Sequence, residues 1–540
     1  MNFEDSLQEY ENIGILKKNT FLDELEQICN KYPDKYAVID TFEKISYKKL
    51  YCEISKYAKG LKNKGVNKGD KVLLQMKNGI RYVEILFAVM KIGASPVLLL
   101  QEHRNYEVTR IGRAVEASAL IVEKNEIENV DYDNLIEQSV KDISSLKLVI
   151  AEENVTNSID RKIATFDEIK DEEMQENYCE YRDVAVFLLS GGTTGTPKII
   201  PKLHETYIYN AKAAAKKCEF SCETTYMAVL SASHDLALAN PGVLGTLLSG
   251  GTVVFPQTAA FDDAFEAIEK YKVTATCIVP ALATVWVNAV ELYDNDLSSL
   301  KQIIIGASKL DYDLGKKIIE KFDVCLQQGY GLGEGVTCFT DLNDNEEVAI
   351  RTQGKPISEY DEIKIVNSKY TEVAQGEEGE LIEKGPYTFG GYYENEQLNS
   401  ELFTEDGFFK TGDKAKKDSS GNIIILGRVR EQINRAGENV LPDEVETYLR
   451  KISGIKEASV FGMLDERLGE KTVACIVVEH SVDKKEIYIK LREMGIATYK
   501  FPDEIHYLSK LPYKNIGKID KELLKTQIEQ ETSYEKSTIN

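Results

Sequence analysis

The sequence predicts an α/β protein: a large N-terminal domain of layered, mostly parallel sheets with helices, followed by a small α+β C-terminal domain. Two observations predict this. Short apolar segments alternate with helical patterns through the greater part of the chain, and the pattern changes near Arg428. Alternating strands and helices are typical of parallel sheets covered by helices. At 540 residues the chain is long enough for several packed units.

The order strand, helix, strand is clearest early in the chain. The strand Lys71–Gln75 is followed by a helix over Tyr82–Lys91 and a strand over Pro96–Leu100. This stretch carries charges and is interrupted by Gly93, so it predicts a buried helix and strand and not a membrane span. The charged, weakly periodic residues 124–182 predict irregular surface structure.

A different pattern begins near Arg428. A strand over Asn422–Gly427 follows a turn, and Pro442 with two acidic neighbours opens a helix, as proline and acids at a helix start do. About a hundred residues in such an arrangement are typical of an independent α+β domain. The elements predicted after this helix are the strands Ala458–Met463 and Thr472–Glu479, the helix Lys485–Met494 and the strand Glu504–Leu508.

The composition argues against several classes of function. Sixty-six basic and 89 acidic residues give a net charge of −23, which disfavours binding to nucleic acid or to an anionic membrane. The nine cysteines form no CxxC pair, so they indicate reduced thiols and no structural metal site. The acidic first residues lack a basic segment followed by an apolar run. No secretory signal is predicted, and the expected location is cytoplasmic.

The strongest local signal is a buried strand, Val184–Leu189, that opens into a segment rich in glycine and threonine. This segment offers backbone N–H groups, hydroxyls and one cation to a phosphate. It contains no Gly-Lys-Ser/Thr sequence and is therefore not a Walker A loop. The residues expected to contact phosphate are Ser190, Gly191, Gly192, Thr193, Thr194, Gly195, Thr196 and Lys198.

The segment Ser190–Lys198 resembles the phosphate-binding signature of the acyl-adenylate-forming superfamily. This superfamily includes acyl-CoA synthetases, peptide-synthetase adenylation domains and firefly-type luciferases. Four more segments resemble its other motifs in the same order, and the similarity covers essentially the whole chain. They are Gln328–Glu334 (adenine and magnesium), Lys410–Asp413 (ribose), Gly427–Asn434 (hinge) and Asn515–Lys518 (C-terminal lysine). The resemblance implies a ligase that uses ATP to convert a carboxylic acid to acyl-AMP, with release of pyrophosphate.

The resemblance also implies roles for particular residues. Lys518 is expected to bridge the acid and the α-phosphate, where negative charge accumulates. Glu334 is expected to hold Mg²⁺, a cation that suits carboxylate and phosphate oxygens. Asp413 is expected to bind both ribose hydroxyls, because a carboxylate offers two oxygens to a vicinal diol. The further residues expected to contact the nucleotide are Gly306, Ala307, Tyr330, Gly331 and Arg428.

The hinge motif implies the domain boundaries. Residues 1–428 are expected to form the adenylation domain, 429–431 the hinge, and 432–540 a mobile C-terminal domain that carries Lys518. Many superfamily members have aspartate two places after the hinge-motif arginine, whereas this chain has Arg430. A basic residue occurs there in the aryl-acid branch, so rotation of the C-terminal domain between the two reaction steps is still expected.

Other runs resemble the stand-alone aryl-acid AMP ligases of the 2,3-dihydroxybenzoate and salicylate type. His234 matches the histidine that closes the acyl pocket of that group and changes rotamer between the half-reactions. The runs are Pro201–Tyr209, Asn240–Gly245, Val279–Trp286 and Arg351–Pro356. The resemblance implies an aryl acid substrate and a role in siderophore-type nonribosomal peptide biosynthesis.

Asp235 departs from that group. Dihydroxybenzoate ligases carry asparagine at this place, whereas amino-acid adenylation domains carry an aspartate that pairs with the substrate ammonium. A buried carboxylate needs a donor or a cation, so we expect an amino- or aminohydroxybenzoate. A β-amino acid remains an alternative, as does a hydroxybenzoate with Asp235 bonded only to protein. Gly333 replaces a usual threonine and is expected to leave room for substrate. The pocket is expected to include Asn240, Ser308, Gly329, Gly333, Thr337 and Cys338.

The acceptor of the acyl group is expected to be a separate molecule. The chain ends soon after Lys518, without the roughly 80 further residues that a carrier domain needs. The aryl-acid resemblance favours the phosphopantetheine thiol of a carrier protein, with free CoA as the alternative. Two other classes are a luciferase-type oxidoreductase and a non-catalytic nucleotide-binding relative. The aryl-acid runs disfavour the first, and intact Lys518, Glu334 and Asp413 disfavour the second.

Overall fold

The computed structural model describes most of the chain, in two compact units. The larger unit contains the described residues up to 428 except Glu102–Glu107, and the smaller contains Glu102–Glu107 and the described residues from 432 onward. The described residues are 3–124, 130–152, 162–190, 198–428, 432–512, 519–521 and 523–529.

The elements up to residue 428 alternate between helices and short strands. The helices are α1 Phe3–Asn12, α2 Phe21–Lys31, α3 Tyr47–Asn63, α4 Ile80–Lys91, α5 Asn105–Ala114, α6 Tyr132–Asp142, α7 His204–Lys217, α8 Asp235–Ala239, α9 Gly242–Leu248, α10 Phe261–Tyr271, α11 Pro280–Ala289, α12 Tyr312–Phe322, α13 Glu346–Arg351 and α14 Glu396–Leu402. The strands are β1 Tyr36–Ile39, β2 Lys44–Ser46, β3 Lys71–Gln75, β4 Ser95–Leu98, β5 Ala119–Val122, β6 Leu148–Ala151, β7 Lys162–Thr165, β8 Val184–Ser190, β9 Lys198–Leu203, β10 Thr225–Met227, β11 Thr252–Val254, β12 Ala275–Ile278, β13 Gln302–Ile305, β14 Cys325–Gly331, β15 Thr337–Phe339, β16 Lys355–Pro356, β17 Glu362–Val366, β18 Gly379–Lys384, β19 Phe409–Lys417 and β20 Ile423–Arg428. Single 3₁₀ turns lie at Asp167–Ile169 and Val290–Leu292.

The strands of the larger unit, within its described ranges, pair into three sheets. One has nine strands in the order β16-β15-β14-β13-β12-β10-β11-β1-β2, and another has seven in the order β7-β6-β5-β3-β4-β8-β9. Pairs through the middle of both sheets are parallel, whereas β14 pairs with β15, and β8 with β9, in antiparallel fashion. Strands β17 to β20 form a four-stranded antiparallel sheet. The predicted class, α/β with mostly parallel sheets, is confirmed.

Helix α4 shows how the core forms. Every residue of this helix except Arg81 is buried, and the flanking strands β3 and β4 are apolar runs that are buried almost throughout. A helix that is apolar on all sides is stable only inside the protein. The predicted helix and strands are therefore confirmed here. Over the described residues, no helix combines the length and the apolar character that crossing a membrane requires.

The prediction of irregular structure over residues 124–182 is confirmed for residues 170–182, which form no helix or strand, but it is wrong for part of the segment before them. Helix α6 buries an apolar face that includes Leu135 and Ile136, and the short apolar runs near residues 148 and 163 are β6 and β7, paired in parallel. Each of these strands has only four residues between charged flanks. Because residues 124–182 are charged on average, their composition did not indicate these short elements.

The smaller unit contains a five-stranded sheet. Strands β23 and β24 form a long antiparallel pair, and β25 joins β24 in parallel. The strands predicted after the helix at Pro442, and both helices, are confirmed with small shifts at their ends, whereas β21 and β22 were not predicted. The elements are β21 Ile433–Arg435, β22 Glu438–Val440, α15 Pro442–Arg450, β23 Ile455–Asp465, β24 Gly469–Val478, α16 Lys484–Glu493, a 3₁₀ turn Thr498–Lys500 and β25 Glu504–Tyr507.

Candidate active site

Several candidate site residues of the larger unit lie where strands end. Strand β8 ends at Ser190, β13 ends just before Gly306, and β14 ends at Gly331. In α/β sheets, ligands bind in the crevice beyond the carboxyl ends of the parallel strands. The register of β8 and β9 places Ser190 directly opposite Lys198. The two ends of the predicted phosphate segment are therefore adjacent.

Several predicted site residues lie outside the described residues. They are Gly191, Gly192, Thr193, Thr194, Gly195, Thr196, Lys518 and the hinge residues 429–431. Their roles stay predictions.

The carboxyl group of Glu334 is buried and is reached from two sides. The Tyr392 hydroxyl donates to its Oε1 at 2.7 Å, and the Ser190 hydroxyl lies 3.4 Å from the same atom. The ammonium group of Lys198 donates to the Tyr392 hydroxyl at 3.5 Å and lies 4.9 Å from the centre of that ring. The backbone N–H of Phe389 donates to the Glu334 carbonyl at 2.7 Å. The structure thus brings together three predicted site residues, and Tyr392 connects them.

Glu334 fits the chemistry of a magnesium ligand. Its side chain offers carboxylate oxygen, and the hydrogen bonds it accepts from described residues go to Oε1. The described ranges contain no group of three or more histidine, cysteine, aspartate or glutamate side chains that could hold a metal ion. Mg²⁺ usually binds through one or two carboxylates together with substrate phosphates. One carboxylate next to the end of the phosphate segment fits that pattern.

Asp413 is buried between two partners. It lies directly opposite Arg428 in the pair β19–β20, and Nε of that arginine lies 2.8 Å from Oδ1. The Tyr330 hydroxyl donates to Oδ2 at 2.5 Å. Burial raises the pKa of Asp413, while the guanidinium charge and the tyrosine hydrogen bond act in the opposite direction. These contacts orient both carboxylate oxygens, and they direct the Tyr330 hydroxyl towards Asp413.

Asp235 begins helix α8 and accepts hydrogen bonds from two protein groups. The Tyr207 hydroxyl donates to Oδ1 at 2.7 Å, and the Asn240 amide donates to Oδ2 at 2.6 Å. The Asn240 carbonyl oxygen in turn accepts from Thr337 at 3.3 Å. Burial raises the pKa of Asp235, and the positive charge of Lys202 partly offsets the rise. Three predicted pocket residues therefore form one hydrogen-bonded cluster.

Two glycines of the expected pocket make room for protein side chains. A Cβ at Gly329 would lie 2.4 Å from the Phe339 ring, and a Cβ at Gly333 would lie 3.1 Å from Ile200 and 3.3 Å from Leu188. The space beside Gly333 is thus bounded by two buried apolar side chains, and the expectation that Gly333 leaves room for substrate stays a prediction.

Most of the remaining predicted residues lie next to the ends of strands or helices, and Cys338 lies within β15. His234 precedes α8 and is partly buried. After β13, the N–H of Gly306 donates to the Ile278 carbonyl at 3.4 Å, and Ala307 has a φ of 66°. Ser308 is partly buried, Cys338 is buried and Gly331 is exposed. Their contacts with nucleotide or acid stay predictions.

Lys202 is not among the residues that the motifs predict for the site. This lysine in β9 is fully buried, and its ammonium group donates to the carbonyls of Gly333 at 2.9 Å and Tyr387 at 3.2 Å. A signal was available, because Lys202 follows the buried Ile200 by two positions and so shares its face of the strand. The sequence gives no indication of the two carbonyls, which belong to distant segments of the chain.

The layered α/β fold, the buried carboxylates of Glu334 and Asp413 and the adjacent ends of the glycine- and threonine-rich segment fit the class of nucleotide-binding enzymes. Residues 25–393 match the AMP-binding enzyme family, and residues 444–518 match the AMP-binding enzyme C-terminal domain. The chain belongs to this AMP-binding family and is an acid–AMP ligase.

Curated relatives and a solved structure agree with this assignment. The chain is 36% identical over 526 residues to the 2,3-dihydroxybenzoate-AMP ligase of Bacillus subtilis, which covers 97% of this chain and 96% of the relative. It is 34% identical to the salicyl-AMP ligase / salicyl-S-ArCP synthetase of Mycobacterium tuberculosis, over 97% and 93% of the two chains. The apo structure of Mycobacterium smegmatis MbtA has a TM-score of 0.74 and 32% identity, with 98% of each chain covered.

Proposed function

We propose that this ligase adenylates a small aryl acid that carries an amino group, an amino- or aminohydroxybenzoate, using ATP and Mg²⁺. The acyl group then passes to the phosphopantetheine thiol of a separate carrier protein, with free CoA as the alternative acceptor. The similarity to 2,3-dihydroxybenzoate- and salicyl-AMP ligases supports an aryl acid and a siderophore-type nonribosomal peptide pathway. The relative named salicyl-S-ArCP synthetase supports the carrier protein.

The observation that supports an amino group on the substrate is the carboxylate of Asp235, which accepts hydrogen bonds. Its hydrogen bonds come from the neutral groups of Tyr207 and Asn240, and Lys202 contributes a nearby positive charge. A carboxylate oxygen can accept more than one hydrogen bond. A neutral aromatic N–H is therefore a suitable further donor, whereas the buried lysine makes a second cation unnecessary. This favours an aminobenzoate over a β-amino acid.

In this proposal, separate residues bind the ribose, the metal ion and the phosphates of ATP. Asp413, oriented by Arg428 and Tyr330, accepts from the ribose hydroxyls, and Glu334 would hold Mg²⁺, which would neutralise negative charge on the phosphates. Lys518 brings a positive charge to the carboxylate and the α-phosphate, where negative charge develops as pyrophosphate leaves. His234 closes the acid pocket.

A hydroxybenzoate is the second candidate substrate. Both oxygens of Asp235 already accept hydrogen bonds from protein, so the carboxylate does not require an amine. A substrate hydroxyl could instead donate to it. The relatives that act on 2,3-dihydroxybenzoate and salicylate, by their names, favour this alternative.

ATP–pyrophosphate exchange with a panel of benzoates, aminobenzoates, hydroxybenzoates and β-amino acids separates the candidates. We expect the highest kcat/KM with an amino-substituted benzoate. Asp235→Asn should move the preference towards the hydroxy-substituted acid of the same shape, and Asp341→Asn, a change at a carboxylate outside this cluster, should leave the ranking unchanged. An unchanged ranking in Asp235→Asn would contradict the amine assignment.

A further inference from the structure

The family motifs leave a fully buried lysine without a role. Lys202 points from β9 into the larger unit, and its side chain is flanked by the ring of Tyr207, whose centre lies 5.4 Å from Nζ. Burying an ammonium group costs several kcal/mol unless it is paired and hydrogen-bonded. The presence of an ammonium group at this place therefore calls for a specific explanation.

The two hydrogen bonds of Lys202 go to the two segments that hold Glu334. One acceptor is the carbonyl of Gly333, the residue just before Glu334. The other is the carbonyl of Tyr387, in the segment whose Phe389 N–H donates to the Glu334 carbonyl and whose Tyr392 hydroxyl donates to the Glu334 side chain. The Lys202 ammonium group is thus hydrogen-bonded to both chain segments that position the Glu334 carboxylate.

Another buried side chain lies against the next turn of this loop. Glu383 in β18 accepts a hydrogen bond from the Thr388 hydroxyl at 2.7 Å, and its Oε1 would lie 2.0 Å from a Cβ at position 335. Only glycine can therefore occupy position 335 without displacing the carboxyl group. Burial lowers the pKa of Lys202, and the nearby carboxyl groups of Asp235 and Glu334 act in the opposite direction.

We infer that Lys202 is a positioning residue of the adenylation reaction: it fixes the Gly333–Val336 loop against the Tyr387–Tyr392 segment and thereby fixes the Glu334 carboxylate. The inference rests on the proposed magnesium role of Glu334. It assigns Lys202 no contact with substrate or metal. Its effect is to reduce the motion that the carboxylate must lose when Mg·ATP binds.

Lys202→Met tests this with two measurements. Hydrogen exchange of the unliganded enzyme should show faster exchange in peptides covering residues 332–336 and 387–392. In ATP–pyrophosphate exchange, kcat should fall about tenfold or more and half-saturating Mg·ATP should rise, as expected for loss of a charged hydrogen bond. Lys202→Arg keeps the charge and the donors. It should therefore stay close to the wild type both in hydrogen exchange of the two segments and in the kinetics of ATP–pyrophosphate exchange.

Lys91→Met is the matched control, because Lys91 is a fully buried lysine of α4 that donates to Asn177 instead. It should lower thermal stability without changing half-saturating Mg·ATP or the exchange of the two segments. If Lys202→Met does not fold, Lys202→Gln, which can donate to one carbonyl, is measured in the same way and should give an intermediate loss.

Two results would overturn the inference: a folded Met or Gln variant whose loop exchange and Mg·ATP dependence match the wild type, or equal effects in Lys91→Met. The wild-type enzyme distinguishes this failure from failure of the proposed function. If it exchanges pyrophosphate with no acid of the panel, the proposed function fails, and hydrogen exchange alone still decides whether Lys202 fixes the loop.

Discussion

At the scale of single residues, two protein side chains orient the carboxylate of Asp413. Arg428 engages one oxygen at 2.8 Å and Tyr330 the other at 2.5 Å. Asp413→Asn keeps the shape but removes the charge, so ATP binding measured by calorimetry should weaken about tenfold, since hydrogen bonds to charged groups are the stronger ones. Glu378→Gln, at an exposed acid before β18 that pairs with Lys414, is the control and should bind ATP normally. Equal affinity in Asp413→Asn and wild type would remove the ribose assignment.

Tyr392 connects the phosphate-segment lysine to the metal-type carboxylate. Its hydroxyl donates to Glu334 at 2.7 Å and accepts from Lys198 at 3.5 Å. Tyr392→Phe retains the ring and loses this bridge, so we expect kcat of pyrophosphate exchange to fall about threefold to tenfold, the value of one hydrogen bond. Its neighbour Tyr393 packs on Phe187, and Tyr393→Phe should keep the wild-type rate. A loss of rate in Tyr393→Phe but not in Tyr392→Phe would contradict the bridging role of the Tyr392 hydroxyl.

At the scale of elements, a partly buried acid, Asp361, lies just before β17 of the sheet β17–β20. Asp361 accepts from the Tyr387 hydroxyl at 2.7 Å, and burial raises its pKa to about 7. Its other oxygen accepts no hydrogen bond within the described part of the chain. In the unfolded chain this group ionises near its ordinary value, so the folded state binds more protons between about pH 4 and 7, and stability falls as pH rises through that range.

Asp361→Asn should therefore reduce the pH dependence of stability. The amide oxygen can still accept from Tyr387, and no charge has to be buried at neutral pH. We expect the loss of unfolding free energy between pH 4.5 and 7.5 to shrink by about 1 kcal/mol or more, measured by urea denaturation at each pH. Asp313→Asn, in the first turn of the partly exposed helix α12, should leave the slope unchanged. If the unfolding free energy of Asp361→Asn fell more steeply with pH than that of the wild type, the raised pKa of Asp361 would be contradicted.

The elements also show which features a sequence can predict. Strong periodicity and long apolar runs, as in α4 and β24, predict structure well because each residue is buried for the same reason. Strands β6 and β7 have only four residues each and are stabilised by parallel neighbours distant in sequence. The same limit applies at the site. The motifs predicted that Glu334 and Asp413 belong to the site. The contacts of Lys202 and Tyr392 could not be predicted, because they join segments that only the fold brings together.

At the scale of the whole molecule, the family assignment covers both units, with separate matches to residues 25–393 and 444–518. The larger unit contains Asp235, Glu334 and Asp413, and the C-terminal match ends at Lys518. The adenylation step should depend on Lys518, whereas transfer of a preformed acyl group should not, because a thiol attacks an already activated carbonyl. The two half-reactions should therefore be separable by a single substitution.

Lys518→Ala should abolish pyrophosphate exchange while ATP affinity changes little, because the lysine stabilises charge that develops only as pyrophosphate leaves. Supplied with synthetic acyl-AMP and a phosphopantetheinylated aryl carrier protein, the variant should still form the thioester at a rate near that of the wild type. Lys510→Ala, at an exposed lysine of the same unit, is the control and should retain both activities. Wild-type exchange in Lys518→Ala would refute the assigned role, and parallel loss of both half-reactions would show that Lys518 supports the unit as a whole and does not act in adenylation alone.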